Sequence, residues 1–335
     1  MGICKCLAPI HTVQMYLRMI DFPPLPFQDN LHADESLMGF VLRMSNRNGI
    51  SGIHWLYRQL GRDKLNRFKE EDKRVIAGLF GAEMSRVNSA MVRSRRIDGL
   101  NVYEMHGHRI NKPYLARPLR PQLCPACVSE NGYARSLWDF SLVCACPWHN
   151  CTLIDACPAC LKKIQWMRPS LLACNCGFIW KNSRPMLLPT EDASICIARI
   201  VHSKLELQHS ECSANSLDRT LSALNLDTLM RVIWAFGIKP TASEVISTGT
   251  SRIILRSDAA AKYCARGYAR LHDLLTQEDI CKSECALHFP SIYLLTNEVS
   301  SLNDIKFLET LMKKINPAAA HKYRIGSVFN QLNLF

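Results

Sequence analysis

Nine of the sixteen cysteines fall between Cys124 and Cys176, a stretch of 53 residues. It opens with L-C-P-A-C (Cys124, Cys127) and continues through C-A-C-P-W-H (Cys144, Cys146, His149). It then gives C-P-A-C (Cys157, Cys160) and closes with C-N-C-G (Cys174, Cys176). Two C-x2-C knuckles, each followed by a second ligand pair, have the spacing of two tetrahedral zinc sites. The spacing assigns Cys124, Cys127, Cys146 and His149 to a first centre, and Cys157, Cys160, Cys174 and Cys176 to a second. Cys144 is an alternative to Cys146, and Cys151 an alternative to His149. Four donors per ion leave no open coordination position, so both zincs are expected to be structural and no residue is assigned a catalytic role.

Other cysteine chemistries fit less well. Disulfides would need an oxidising compartment, and no secretory signal is read in the sequence. Iron–sulfur ligation also uses four thiolates, but the two-plus-two clustering and the histidine favour zinc. A zinc deaminase needs H-x-E before P-C-x-x-C. Here Leu123 and Ala156 precede the knuckles, and the one H-x-E, His209-Ser210-Glu211, comes after both of them. The phosphate-cradling fingerprints G-x-x-x-x-G-K-[ST] and G-x-G-x-x-G are also missing from the sequence. The reading is therefore non-enzymatic.

Charge bears on partners. The chain of 335 residues carries a formal +12 at pH 7, which suits a polyanionic partner. Between Arg58 and Arg120 there are 15 Lys/Arg against 7 Asp/Glu, so +8 of that excess lies just before the knuckles. The longest apolar run, around Val232–Ile238, is too short to span a bilayer. No membrane association is expected, and the reduced cysteines suggest a cytoplasmic setting.

Periodicity gives a mainly α chain in four parts: a poorly ordered lead-in at 1–22, an N-terminal helical region at 23–120, a tandem zinc domain at 121–182 and a C-terminal helical domain at 183–335. Met1-Gly2 is followed by Cys at position six, where a myristoylation signal needs Ser or Thr. In the N-terminal region Asp34 is read as a helix cap before Leu37, Phe40, Val41 and Met44, with Gly49 as the stop. Ser51 is read as the cap of a second helix that ends at Gly61. Glu71–Phe80 and Glu83–Arg96, separated by Gly81-Ala82, read as a helix-turn-helix pair. Its second helix would present Arg86, Arg93, Arg95 and Arg96 to nucleic acid or an acidic partner, against the simpler reading of a solvated face. His106-Gly107-His108 reads as a surface loop. Helices are expected at Glu191–Gln208, Asp227–Phe236, from Ser257 through Leu275, and at Leu302–Ile315. Trp138, Trp148, Trp166 and Trp180 either fill a core between the knuckles or anchor a partner.

These motifs together resemble the TniQ/TnsD family of transposition target-selection proteins. The similarity lies in D-E-S-L-M-G-F-V-L-R-M-S-N-R-N-G (Asp34–Gly49), L-C-P-A-C-V-S-E-N-G-Y-A-R-S-L-W-D-F (Leu123–Phe140), C-P-W-H-N-C-T-L-I (Cys146–Ile154) and the second knuckle pair. The resemblance implies a helix-turn-helix, paired zinc motifs and a following helical domain. It also implies an adaptor that recruits a AAA+ transposition regulator to a site chosen by DNA or by an RNA-guided Cascade-type effector, with a homodimer at the nucleoid. The chain is shorter than family members that read a fixed attachment site themselves, which favours the guided role. The alternative is a stand-alone, zinc-containing, sequence-specific DNA-binding protein.

Overall fold

A computed structural model describes residues 23–97, 100–206, 215–238, 255–276 and 288–315. The expected lead-in at 1–22 lies outside them, as do Cys212, Cys281 and Cys285. Eleven α-helices are found among the described residues, with one three-stranded and one two-stranded sheet. None of these helices is long and apolar enough to cross a membrane.

Helix α1 (Leu37–Arg47) is capped by Ser36, whose Oγ accepts from the Gly39 amide at 3.1 Å. The expected cap, Asp34, instead accepts hydrogen bonds from Tyr133 Oη at 2.7 Å and from Arg135, which ties the helix entry to the knuckle region. Beside the cap, Arg43 donates to both oxygens of buried Glu35 at 2.8 Å and to Asp29 at 2.8 Å. Gly39 faces Ala134 so closely that an added Cβ would sit 2.6 Å from the alanine Cβ. Helix α2 (His54–Gln59) has no side-chain cap, so Ser51 does not fill that role.

Helix α3 (Asp72–Phe80) ends at Gly81, whose φ of 67° is the left-handed turn that leads toward α4 (Met84–Ala90). This pair is the expected helical hairpin, but the expected extent of its second helix is corrected. The chain turns extended at Met91, and Arg93, Arg95 and Arg96 lie on a strand, β1 (Arg93–Ile97). Strand β1 pairs antiparallel with β2 (Leu100–Met105), matching Arg93 to Glu104 and Arg95 to Val102. Strand β2 pairs in turn with β3 (His108–Ile110). His106 and Gly107 form the connecting turn with φ of 48° and 78°, the two positive values of a tight hairpin turn. The two histidines point apart. His106 Nε2 lies 3.7 Å from Asp139, and His108 Nε2 lies 3.1 Å from the Lys204 carbonyl.

The knuckle region contains α5 (Pro125–Asn131) and the short pair β4 (Ala145–Cys146) and β5 (Cys151–Thr152). Beyond it come α6 (Ala193–Glu206), α7 (Ser216–Ser222), α8 (Leu226–Gly237), α9 (Ser257–Thr276), α10 (Phe289–Glu298) and α11 (Leu302–Ile315). Helix α10 was not expected from periodicity. Helices α8 and α9 meet backbone to backbone. A Cβ on Gly237 would fall 2.1 Å from the Tyr263 carbonyl oxygen, and one on Gly267 would fall 2.4 Å from that of Ile233.

Buried apolar side chains form one continuous cluster from Leu31 to Met312. Polar ties cross it. Asp227 accepts from the Asn111 backbone and side chain, both at 2.8 Å, and Gln122 Oε1 accepts from Arg117 and from Ser257 Oγ of α9. The Cys264 thiol donates to the Leu142 carbonyl at 3.2 Å. The C-terminal helices are therefore anchored to the segment that carries the knuckles.

Candidate metal centres

At the first knuckle Cys124 precedes α5, with Pro125 at its first position, and the Cys124 Sγ accepts from the Cys127 amide at 3.5 Å. A thiolate at a helix start is favoured by the free amides and the positive end of the helix dipole. Strands β4 and β5 bring the second ligand pair, with Cys146 opposite Cys151. Asn150 takes a left-handed φ of 44° between them.

The four donors converge. Cys127 and Cys146 sulfurs lie 3.5 Å apart, and His149 Nδ1 lies 3.6, 3.2 and 3.5 Å from Cys124, Cys127 and Cys146. Tetrahedral zinc with bonds of about 2.0–2.3 Å requires ligand–ligand separations of about 3.5–3.8 Å. The donor set fits that ion in number, type and spacing. Its remaining nitrogen, Nε2, hydrogen-bonds Glu130 at 2.8 Å, which aims Nδ1 at the three sulfurs. Hydrogen bonds from Cys124 and Cys127 hold the Cys146 thiol far below its ordinary pKa. Burial disfavours charge on His149, but hydrogen bonds with Cys146 and Glu130 outweigh it and place its pKa at about 9.

In the second centre Cys157 and Cys176 sulfurs are 3.7 Å apart, and Cys160 and Cys174 are 3.8 Å apart. Each knuckle is a tight turn. Leu161 takes a φ of 60° as its amide donates to the Cys157 carbonyl, and Gly177 takes 86° as its amide donates to that of Cys174. In each centre all four donor atoms lie within 4.8 Å of one another. The two differ in setting. Cys124, Cys127 and Cys146 are wholly buried, whereas Cys160 is half-buried and Cys176 is exposed.

Neither alternative ligand belongs to these groups of four. Cys151 lies against the first centre, its sulfur 3.7 Å from that of Cys124. Cys144 is fully buried, and its thiol pKa is lowered by a hydrogen bond with Cys264. Trp138, Trp166 and Trp180 are buried, but Trp148 is 38% exposed with the Arg135 guanidinium 3.8 Å over its ring.

The four arginines singled out for nucleic acid do not share one helix face. Arg86 sits on α4, 3.6 Å from Glu83, and donates to the Leu31 carbonyl at 3.1 Å. Arg93 pairs with Glu70 at 3.0 Å and Arg95 with Glu104 at 3.2 Å. Arg96 is exposed on the same strand. Sequence reasoning missed Glu130 and Arg168, the buried cation beside the second centre. Glu130 stands six residues after Cys124 in the quoted motif, but nothing in its spacing marks it as a partner of His149.

The fold and these clusters define a class first: a mainly helical protein with two Cys/His groups able to hold zinc. Residues 26–153 match the TniQ family, so this stretch is a TniQ domain. The match takes in all four donors of the first centre and ends before Cys157. No curated protein matches the chain. A TniQ domain implies a part in selecting the target of transposition.

Proposed function

We propose that this chain is a non-enzymatic adaptor that links a targeting module to a AAA+ transposition regulator, with structural zinc in both centres. The observation that carries the reading is the TniQ match across the whole first centre, whose donors converge as a closed four-ligand set. Such a set fixes surrounding loops and leaves no position for a reacting water. The chain's role is then to hold surfaces in fixed relation. Of the two targeting routes, an RNA-guided effector is favoured over autonomous DNA reading. Arg93 and Arg95 sit in ion pairs on a strand, and no long helix presents them together to a major groove.

The test is reconstitution of the purified chain with its AAA+ regulator, a guided effector and target DNA. Regulator loading at the guided site should depend on this chain. Loading that is unchanged by its omission would defeat the proposal. Tight, salt-dependent, sequence-specific duplex binding by the chain alone would favour the stand-alone DNA-binding reading instead.

A further inference from the structure

Arg168 is 3% exposed, on the loop between the two halves of the second centre. Its Nε donates to the Ser170 carbonyl at 3.1 Å and one terminal nitrogen to that of Gln165 at 2.8 Å. The guanidinium lies 5.2 Å from the Trp166 ring centre and 6.0 Å from that of Trp180. Among the described residues no carboxylate pairs with it, and the sequence has no acidic residue between Asp155 and Glu191. Burial lowers the Arg168 pKa to about 9, and the neighbouring Cys174 sulfur opposes that shift. Arg168 and three sulfurs of the centre, those of Cys160, Cys174 and Cys176, line the same cleft of about 360 Å³.

A buried guanidinium without a counter-charge is strongly destabilising. Four thiolates around a dication carry a net charge of about −2, one unit more than the three-thiolate, one-histidine set of the first centre. Arg168, buried, offsets one of those two charges, and Lys162 and Lys163 line the same cleft. The same loop is also a joint. Asn46, at the end of α1, donates to the Pro169 carbonyl and accepts from the Leu171 amide, both at 2.8 Å. The Gly52 amide donates to the Pro169 carbonyl at 3.0 Å, and a Cβ on Gly52 would lie 3.0 Å from the Arg168 carbonyl oxygen.

We propose that Arg168 is the internal counter-cation of the second centre, so that metal binding there and the seating of the 165–171 loop on the Asn46–Gly52 turn form one coupled equilibrium. The inference rests on the reading of this centre as a zinc site. Coupling of this kind is reciprocal: whatever weakens one event weakens the other.

The experiment uses the full-length, zinc-loaded chain and titrates it with a chelator, counting zinc released and following amide hydrogen exchange at Gly52 and Leu171. With R168M, one of the two zinc equivalents should be released at a 10- to 100-fold lower chelator concentration while the other is unchanged. R168K, which keeps the charge, should lie closer to the parent. In the parent, loss of the weaker equivalent should speed exchange at both amides. Release from R168M that matches the parent overturns the proposal. If R168M does not fold, C176S decides, because Cys176 is exposed and its loss leaves no cavity. Faster exchange at Gly52 and Leu171 supports the coupling, and unchanged exchange overturns it. A parent chain that binds fewer than two zincs would instead strike the zinc reading itself and remove the proposal with it.

Discussion

Glu35 and Arg43 show how much of the D-E-S-L…L-R motif is structural. The Glu35 side chain is fully buried and Arg43 grips both its oxygens, while Ser36 between them caps α1. Replacing Arg43 by Met keeps most of the stem's volume but strands a buried carboxylate. Loss of about 3–5 kcal/mol is expected in denaturant unfolding, against about 1 kcal/mol for Ser36→Ala. Similar losses for the two variants would show that the ion pair carries little. Glu130 acts on the first centre through His149. Glu130→Gln should weaken zinc there by about tenfold in chelator competition, the low end of the outer-shell range because an acceptor remains. Unchanged affinity would show that His149 needs no such support. The two groups of four were legible because C-x2-C, C-x2-H and C-x-C turns close locally and spacing encodes them. Glu130 and Arg168 were not, because their roles arise only when distant segments meet.

Among the elements, the helices were easier to read than the sheet. Arg93-Ser94-Arg95-Arg96-Ile97 lacks strand alternation, and arginine is a good helix former, so local preference pointed to a helix. Pairing with β2 overrode it. Asp98-Gly99 and His106-Gly107, set on either side of a short run containing Val102 and Tyr103, were the available hairpin signal. As an edge strand, β1 gains a second use for its arginines, since charge there discourages pairing with other chains. The α8–α9 contact provides a sharp test at this level. Gly267→Ala should stabilise an isolated helix by up to about 1 kcal/mol. Here the new Cβ would lie 2.4 Å from the Ile233 carbonyl oxygen. Forcing the two backbones apart costs about 1–3 kcal/mol, so net destabilisation is expected in thermal unfolding. A raised melting temperature would mean that the helices separate at little cost.

Across the whole molecule the two centres have unequal standing, and metal removal should expose it. Cys124, Cys127 and Cys146 belong to the continuous core, and the neighbouring segment receives Ser257 and Cys264 of α9 through Gln122 and Leu142. Releasing that ion leaves buried thiols in the middle of the structure, and its binding free energy is in effect folding free energy. The second centre sits nearer the surface, with Cys176 exposed and Cys160 half-buried. A chelator should therefore take zinc in two steps. The first equivalent should leave with most helical circular dichroism retained, and the second only as the helical signal collapses. Cys176→Ser should abolish the first step and spare the second, whereas Cys127→Ser should abolish folding of the chain. Simultaneous release, or removal of both ions with the helices intact, would mean that the fold stands without its metal clips. The proposed adaptor role would then need another source of rigidity.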